Sequence, residues 1–519
     1  AISSPSMAPR TGHGVVPPSC AVGGWPAVPD AVANIDALLQ RCELPILAAD
    51  GDHTRERLLH FSVFEDVSEE AKKAALDLSS AEVGATRSVG ALLGTAVGDA
   101  VGAVLEFQEV VDWGEDCPAP DWRCMRPDCP ALLLDGRSCW LPGTVDRCGY
   151  CQGAKPVTED QAAGLSGPRG YEVSTGRYRG RTTNQFRLKP GQWTDDTSMA
   201  LCLADSLLCR RGFDGSDLRQ RFFAWCFSAY NTPFGVDERR TFQEGMPQQP
   251  TNLEDMWFFD RGAVGCGTNM SRSLEALVAD EKRRPPPIFE AVVEDAGNAP
   301  LIRLAALPIF FHSRPLEDLL EAARASSYAT HPGPVAAECC AFLAFALREA
   351  LLRSTCGLDA DLPSSPMRCF LEETTDAYSK LLPKGAEGAI GAAQASLLRL
   401  LASPKEDPPP GDPAWGSPEL AWRWRAESTR WRRTLANRGE RYNGYPVSAG
   451  YVGSFSLDGL SMALWAAYHT ASFDAALERC VNLQGDADST AAICGALCGA
   501  FYGLAGIHPR LVAEVQRWD

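Results

Sequence analysis

Two short acidic motifs carry the residues of this chain that are best suited to chemistry. Residues 193–197 are Trp-Thr-Asp-Asp-Thr and residues 485–490 are Gly-Asp-Ala-Asp-Ser-Thr, and each motif leads into an apolar, helix-like run. Carboxylates that cluster inside a fold lose their hydration, so they need a compensating cation or full solvation. Carboxylate and hydroxyl oxygens are hard ligands that suit Mg²⁺, Mn²⁺ or Ca²⁺ better than zinc or copper. The two motifs together therefore predict one metal site.

Helix capping is the simpler interpretation of each motif. Thr194 or Asp195 can cap the run that begins near Thr197, and Asp486 or Asp488 can cap the second run. One acceptor already satisfies free backbone donors at a helix start, so a second adjacent acid is not needed for capping. Because the acidic pair occurs twice, we favour the metal site over capping alone.

A third acidic element lies upstream of both motifs. Asp99 and Glu106 are seven residues apart, so a continuous helix over Arg87–Phe107 places them on roughly one face. An otherwise apolar helix with acids on one face predicts a polar cleft at that point. Glu106 lies where the helix gives way to an insertion, a position from which its carboxylate can move between solvent and the site.

The elements that position these acids are predicted to be helices. Apolar residues recur with helical spacing through most of the chain, and few segments alternate apolar and polar residues. We predict an all-α fold in which residues 1–86 form an N-terminal extension with a helical arm and residues 87–519 form the main domain. Residues 108–189 are rich in Gly, Pro and Cys and predict a loop and hairpin insertion to which any strands are confined.

Glycine recurs every four residues in two of the predicted helices. One series is Gly90, Gly94, Gly98 and Gly102, and the other is Gly495, Gly499 and Gly503. Each glycine costs about 1 kcal/mol of helix propensity relative to alanine, so a repeated series needs a structural reason. We predict that both helices lie deep in the core and pack against other helices at unusually short distance.

Composition excludes two broad classes of partner. The chain has 519 residues, 45% hydrophobic composition and a net charge of -17. Binding to nucleic acid or to an anionic membrane surface needs a basic excess, so no general nucleic-acid binding is expected. The charge-free run at 489–507 is rich in Gly and Ala and lacks a basic flank, so no membrane span is expected either.

The nineteen cysteines fall into two groups. Most lie singly within apolar helical runs, which is typical of reduced core cysteine and predicts a soluble protein of the cytoplasm or an organelle rather than a secreted one. Six lie between Cys117 and Cys151, where only Cys148 and Cys151 have a tight CxxC spacing. A zinc or disulfide staple is the alternative there, and we favour free loop cysteines.

The motifs, taken in order, resemble those of the ADP-ribosylglycohydrolases. The set comprises Gly98–Glu106, residues 193–197, Gly297-Asn298 with Arg303, Thr330-His331-Pro332, and residues 485–489. The resemblance covers about residues 87–508 apart from the insertions, and the order and spacing make it more specific than any single motif. It implies a compact multi-helix orthogonal bundle with two Mg²⁺ or Mn²⁺ ions that hydrolyses the glycosidic bond joining ADP-ribose to a protein side chain or small acceptor.

The resemblance also implies roles for individual residues. The implied metal ligands are Thr194, Asp195, Asp196, Asp486, Asp488 and Ser489. Glu106 corresponds to the acid beside the scissile bond, and Asp488 is expected to share in catalysis. The implied substrate-binding residues are Asp99, Gly297, Asn298, His331, Tyr451, Ser454 and Gly485. For His331 the alternative is a helix-start neighbour of Pro332, and for Tyr451 and Ser454 it is buried packing.

Four positions depart from the family pattern. Gln484 and Ala487 stand where the family usually has Gly and Thr, and Ser489 replaces a second Thr but keeps the hydroxyl needed for ligation. Ala299 follows Asn298 where Gly is typical. We expect Ala299 to narrow the pocket, which affects phosphate contacts more than the metal ligands.

Two further interpretations concern partners. The expected substrate is an ADP-ribosylated protein or a small ADP-ribose conjugate, and the N-terminal arm or the insertion offers a surface for assembly contacts. The alternative to an enzyme is a crystallin-like or assembly protein on the same fold, which would not require all six oxygen ligands. A basic aromatic segment is also present, comprising Trp422, Arg423, Trp424, Arg425, Arg430, Trp431, Arg432 and Arg433. It predicts an amphipathic surface helix or, alternatively, a contact for a phosphate-rich polymer.

Overall fold

The computed structural model is mostly helical. It describes residues 83–113, 170–233, 264–278, 285–290, 296–353, 365–411, 422–446 and 452–518, apart from short gaps within these ranges, and Lys73. The described α-helices are α1 (Val83–Gly102), α2 (Asp195–Arg210), α3 (Gly215–Ser228), α4 (Thr268–Val278), α5 (Ala299–Ile302), α6 (Ala306–Phe311), α7 (Leu316–Tyr328), α8 (Pro334–Leu352), α9 (Pro366–Leu381), α10 (Gly388–Leu401), α11 (Ser456–Tyr468), α12 (Phe473–Val481), α13 (Ala487–Tyr502) and α14 (Pro509–Gln516). The all-α prediction is confirmed.

The described strands form two short antiparallel pairs. The first, β1 (Gly170–Glu172) with β2 (Arg177–Arg179), lies within the predicted insertion. The second, β3 (Arg441–Tyr442) with β4 (Tyr445–Pro446), lies far outside it. The expectation that strands are confined to the insertion is therefore wrong.

Helices α1 and α13 pack backbone to backbone at the centre of the fold. A Cβ added at Gly98 would overlap the carbonyl oxygen of Ala491, while Gly94 faces Gly495 and Gly90 faces Gly499 in the same way. The predicted close packing of the two glycine series is confirmed, and the two series pack against each other. This contact brings the end of α1 next to the start of α13, where the acids are concentrated.

Helix α1 ends earlier than its apolar pattern predicts. It stops at Gly102, and residues 103–107 form turns in which Phe107 has a positive φ of 62°. Asp99 and Glu106 therefore do not share one helix face, so that prediction is wrong. Glu106 lies instead on a turn that leaves the helix, although both acids remain buried.

The basic aromatic segment is not a surface helix. Trp422 has 3-10 geometry, residues 423–430 form turns and irregular structure, and α-helical geometry is found within the described part of this segment at Trp431 and Arg432. The Trp424 and Trp431 side chains are fully buried, and the Trp424 indole N–H donates to Leu400 O at 2.9 Å. Because these indoles pack in the core, the prediction of an amphipathic surface helix is wrong. The Arg432 Nε also donates to a backbone carbonyl, that of Val110, so this side chain helps to hold chain segments together.

Ten cysteines lie among the described residues, and seven of them are buried: Cys202, Cys226, Cys339, Cys340, Cys480, Cys494 and Cys498. This burial agrees with the core interpretation. The arm before Val83, except Lys73, and the cysteine group at 117–151 lie outside the described residues. Assembly contacts by the arm or insertion, and a zinc or disulfide staple, stay predictions.

None of the described helices combines the length and apolarity needed to cross a membrane.

Candidate metal centre

Five buried carboxylates converge between the start of α2, the start of α13 and the end of α1. One group comprises Asp99, Asp196 and Asp488, and the other comprises Glu106, Asp486 and Asp488. Within each group one oxygen per residue lies within 4.8 Å of the others. The structure thus brings the two acidic motifs and the α1 acids to one place, with the Asp488 carboxylate common to both groups.

We call the group of Asp99, Asp196 and Asp488 the first half of the cluster. Asp99 holds this half in place. Its carboxylate accepts hydrogen bonds from the backbone N–H groups of Thr194 and Thr197, each at 2.9 Å, and from their hydroxyls at 2.8 and 2.7 Å. A helix start leaves backbone N–H groups without partners, so Asp99 supplies the cap of α2 from another helix. The Thr194 hydroxyl proton points to Asp99, which leaves the oxygen lone pairs of Thr194 available to a cation.

This geometry does not support substrate contact by Asp99. Its side chain is fully buried, and both of its oxygens are engaged by Thr194 and Thr197. Gly485 is similar, because its N–H donates to Gln108 O and its carbonyl accepts from Phe107 N. Both residues lie behind the cluster as supports, and not at a surface that a sugar can reach.

We call the group of Glu106, Asp486 and Asp488 the second half of the cluster. Backbone hydrogen bonds hold most of this half in place. The Asp486 N–H donates to Val452 O at 2.8 Å, and Gly485 pairs with Gln108 in an isolated β-bridge. Gly485 has a φ of 68° and lies so close to Val452 that a Cβ would overlap the carbonyl oxygen of that residue. Only glycine combines this conformation with this close approach without strain.

The two halves meet through Ser489 and Asp196. The Ser489 hydroxyl donates to Asp196 Oδ1 at 3.3 Å, across 293 residues of sequence. Ser489 thus lies at the first half although it belongs to the second motif. Its oxygen, like that of Thr194, is a ligand that a hard cation accepts.

Asp195 stands apart from the other acids of its motif. It is half-buried and belongs to neither carboxylate group. Its carboxylate lies against Gly265, a residue with a φ of 89° at which any Cβ would overlap Asp195 Oδ1. The segment at 264–267 therefore forms a wall beside Asp195 that the sequence analysis missed, and the only sequence signal for it is the glycine itself.

Burial and mutual repulsion make this cluster costly to ionise. Burial, and then the neighbouring carboxylates, raise the pKa values of Asp195, Asp196 and Asp488 well above their usual range. Burial raises the pKa of Asp99 to about 6 despite its four donors. A divalent cation among these oxygens would offset both effects. The donor set, made of carboxylates and hydroxyls, fits a hard cation such as Mg²⁺ or Mn²⁺.

Glu106 adds an acid to the second half. Its side chain is 6% exposed and hydrogen-bonds Asp488, a contact that lowers the Asp488 pKa against the larger effect of burial. Two carboxyl groups can hydrogen-bond only when they share a proton. The pair can therefore hold a proton at the edge of the cluster.

The segments around Gly297 and His331 form a wall beside the second half. Gly297 pairs with Phe455 in an isolated β-bridge, and Asn298 N donates to Ser454 O at 2.8 Å. His331 Nε2 lies 3.0 Å from where a Gly297 Cβ would be, so a larger residue there would displace the ring. Ser454 is exposed, and Tyr451 lies outside the described residues.

His331 is buried and neutral. Burial, followed by the charge of Arg303, lowers the pKa of His331 well below its usual range. Its Nδ1 lies 2.9 Å from the Thr330 hydroxyl, which also accepts a hydrogen bond from Arg303 at 2.8 Å. The ring is 2% exposed, so it can serve as an oriented neutral hydrogen-bonding group and not as a cation.

The Asn298 side chain contacts a carboxylate of the cluster. Its Nδ2 donates to Asp486 Oδ2 at 2.7 Å and to Gly453 O at 3.1 Å. The sequence predicts Tyr451 and Ser454 as contacts in this region, but it does not reveal that Val452 and Gly453 touch the acidic motif. Glycine at 453 is the available signal, because its φ of 119° and its close approach to Asp486 exclude larger residues.

Comparison with known proteins agrees with the motifs. The family model for ADP-ribosylglycohydrolase matches residues 81–519. The ADP-ribosylarginine hydrolase Tri1 of Pseudomonas putida (strain GB-1) is 28% identical over 333 residues, which are 64% of this chain and 64% of that protein. Tri1 of Serratia proteamaculans (strain 568) is 28% identical over 336 residues, 64% of this chain and 66% of that protein. The match thus spans just under two thirds of each relative.

A solved structure was also found. A chain described as an ADP-ribosylglycohydrolase-related protein complex aligns with a TM-score of 0.44 and 24% identity, over 83% of this chain and 95% of that chain. The family model covers most of this sequence, including both acidic motifs and Glu106. The chain belongs to the ADP-ribosylglycohydrolase family.

Proposed function

We propose that this protein hydrolyses the glycosidic bond between ADP-ribose and a protein side chain or small acceptor, with arginine as the first acceptor to test. The observation that carries the proposal is the pair of overlapping carboxylate groups that share Asp488 and include Glu106. The named relatives are ADP-ribosylarginine hydrolases, which supports arginine linkage. The boundary between an extension at 1–86 and a catalytic domain at 87–519 is part of the same proposal.

The proposed metal ligands are oxygen atoms from both motifs. They are Thr194, Asp195, Asp196, Asp486, Asp488 and Ser489. Two Mg²⁺ or Mn²⁺ ions held there would supply Lewis-acid polarisation of the ribose hydroxyls and the anomeric carbon. Of the four acids in this set, Asp195 alone lies outside both close carboxylate groups.

The chain itself supplies the proton transfers. Water attacks the anomeric carbon, and the bond from that carbon to the acceptor nitrogen or oxygen breaks. The proton lost by the water passes to the Glu106 carboxylate and then to the leaving acceptor. Once it carries this proton, Glu106 can donate a hydrogen bond to Asp488, which keeps its side chain oriented before the second transfer.

Three wall residues are proposed to contact the substrate. Gly297 admits the sugar close to the backbone, neutral His331 offers a fixed hydrogen-bonding group behind it, and exposed Ser454 borders the opening. Tyr451 is proposed from sequence alone. Asp99 and Gly485 are assigned to support of the cluster.

The test is release of ADP-ribose from defined substrates. Arginine-linked, serine-linked and acetyl-linked ADP-ribose would be incubated with wild-type protein in Mg²⁺, in Mn²⁺ and after chelation, with free ADP-ribose measured by chromatography. We expect cleavage of the arginine linkage with metal, little after chelation, and a loss of at least about 100-fold in Glu106→Gln at unchanged metal content. Metal binding without cleavage of any substrate would favour the non-catalytic alternative.

A further inference from the structure

Asn298 contacts the proposed metal ligand Asp486 and is enclosed with it. Its side-chain amide donates to Asp486 Oδ2 at 2.7 Å, and the residue is 7% exposed. We infer that Asn298 is a positioning residue for Asp486 that sets the affinity of the second half of the cluster for a divalent cation. The inference rests on the proposed function, and it replaces the sugar contact expected from the sequence.

The orientation of the amide follows from its two neighbours. The Gly453 carbonyl and the Asp486 carboxylate are both acceptors, so the NH₂ group must face them and the amide oxygen must face away. One side chain thus donates two hydrogen bonds, one to the ligand and one to the chain that covers it.

The backbone around Asn298 leaves this amide little freedom. Asn298 N donates to Ser454 O, and Asp486 N donates to Val452 O, both at 2.8 Å. The intervening Gly453 lies so close that a Cβ there would be 2.7 Å from Asp486 Cβ. Residues 452–454 therefore lie between Asn298 and Asp486. The Asn298 amide hydrogen-bonds both this segment and the Asp486 carboxylate.

The chemistry of an amide suits this position. A hydrogen bond to the charged form of a carboxylate favours ionisation, and it leaves further lone pairs for a cation. A lysine or arginine would give a similar hydrogen bond but would repel the cation that the cluster has to bind. A neutral donor fixes the rotamer of Asp486 without that repulsion, as partners of metal ligands commonly do.

Mn²⁺ binding measured without substrate tests the inference. Wild type, Asn298→Ala and the control Asn482→Ala would be titrated with Mn²⁺ by calorimetry or electron paramagnetic resonance. Asn482 also holds a backbone with its amide, that of Tyr171, but has no described contact to the acid cluster. We expect Mn²⁺ affinity to fall at least about 10-fold in Asn298→Ala and to stay within about 2-fold of wild type in the control.

A double-mutant cycle separates positioning from general damage. In an Asp486→Asn background the Asn298→Ala change should lower Mn²⁺ affinity less than about 2-fold, because the carboxylate that it positions is already absent. Equal losses in both backgrounds would overturn the inference. If Asn298→Ala does not fold, Asn298→Ser replaces it, since a hydroxyl can donate to Asp486 or Gly453 but not to both, and its affinity should be intermediate.

ADP-ribose binding at saturating Mn²⁺ provides the opposing readout. We expect Asn298→Ala to bind ADP-ribose within about 3-fold of wild type once the metal sites are filled. Unchanged Mn²⁺ affinity with lost ADP-ribose affinity would make Asn298 a sugar contact and overturn the inference. Wild-type protein that binds Mn²⁺ but releases no ADP-ribose would contradict the proposed function and leave the role of Asn298 intact.

Discussion

The two halves of the acid cluster are held by different kinds of chemistry. At the start of α2 a buried carboxylate, Asp99, accepts four hydrogen bonds from Thr194 and Thr197. At the start of α13 the acidic motif is held by backbone carbonyls and by the neutral amide of Asn298. A charged side chain therefore positions the first half, whereas neutral groups position the second half.

This difference makes the halves depend on different conditions. Asp99 adds to the repulsion felt by Asp196 and Asp488, whose pKa values it helps to raise. The first half should therefore respond to pH and to cation loading. The second half depends on close backbone approach at Gly453 and Gly485, so it should respond to changes of shape.

The largest expected effect breaks both halves at once. Asp488→Asn removes the carboxylate common to both groups, whereas Asp195→Asn changes an acid that belongs to neither. We expect kcat/KM for ADP-ribosylarginine to fall at least about 1000-fold in Asp488→Asn, about 4 kcal/mol of transition-state stabilisation, and about 10-fold in Asp195→Asn. Equal losses in the two variants would show that the close groups do not define the reactive centre.

The next effect acts on the packing that joins the halves. Gly98→Ala places a methyl group against the Ala491 carbonyl, so α1 and α13 must separate, and we expect a loss of about 2 to 3 kcal/mol in the free energy of unfolding. Gly84→Ala is the matched control in the same helix, because nothing lies within 4 Å of a Cβ there. Urea unfolding should show the control unchanged or slightly stabilised.

The glycine contact also shows what the sequence reveals. A four-residue glycine series needs only local helical geometry to be interpreted, so the close packing could be predicted. The end of α1 could not, because apolar residues continue through Leu105 while Phe107 adopts a positive φ. The burial of Trp424 was equally hidden, since the acceptor for its indole N–H, Leu400 O, lies 24 residues earlier in another helix.

The acids of the site were visible in the sequence, whereas the supporting roles of Asp99 and Asn298 were not. Asp486, Asp488 and Asp196 stand in short motifs whose charge conflicts with their apolar surroundings, and that conflict marks them. Asp99 caps a helix that starts 96 residues later, and no local pattern encodes a hydrogen bond across such a separation. The hydrogen bond between Asn298 and Asp486 was hidden for the same reason, because it joins residues 188 positions apart.

A smaller effect is expected from neutralising the charged support. Asp99→Asn turns an NH₂ group toward backbone N–H donors of α2, so the motif shifts and Mn²⁺ affinity should fall about 10-fold, or about 1.4 kcal/mol. Asp474→Asn is the control, because Asp474 also accepts a backbone N–H, that of His508, away from the cluster. An unchanged Mn²⁺ affinity in Asp99→Asn, measured by calorimetry, would remove the positioning role from Asp99.

The smallest effect concerns pH and separates the charged support from the neutral one. Burial raises the pKa of Asp99 from 3.8 to about 6, so the folded protein holds this proton more tightly than the unfolded chain. Its contribution to stability is full below about pH 4 and is lost as pH rises through about 6. In metal-free protein, wild type should therefore lose stability relative to Asp99→Asn across this window.

Urea unfolding in chelator at several pH values between about 4 and 7 measures this slope. Asn298→Ala should follow wild type more closely than Asp99→Asn does, because it removes no titrating group and only one hydrogen bond to Asp486. Added Mn²⁺ should reduce the divergence at the upper end, where the ionised carboxylates gain a counter-charge. If the Asp99→Asn and Asn298→Ala curves run parallel, the two halves do not differ in charge dependence, and the distinction between a charged and a neutral support fails.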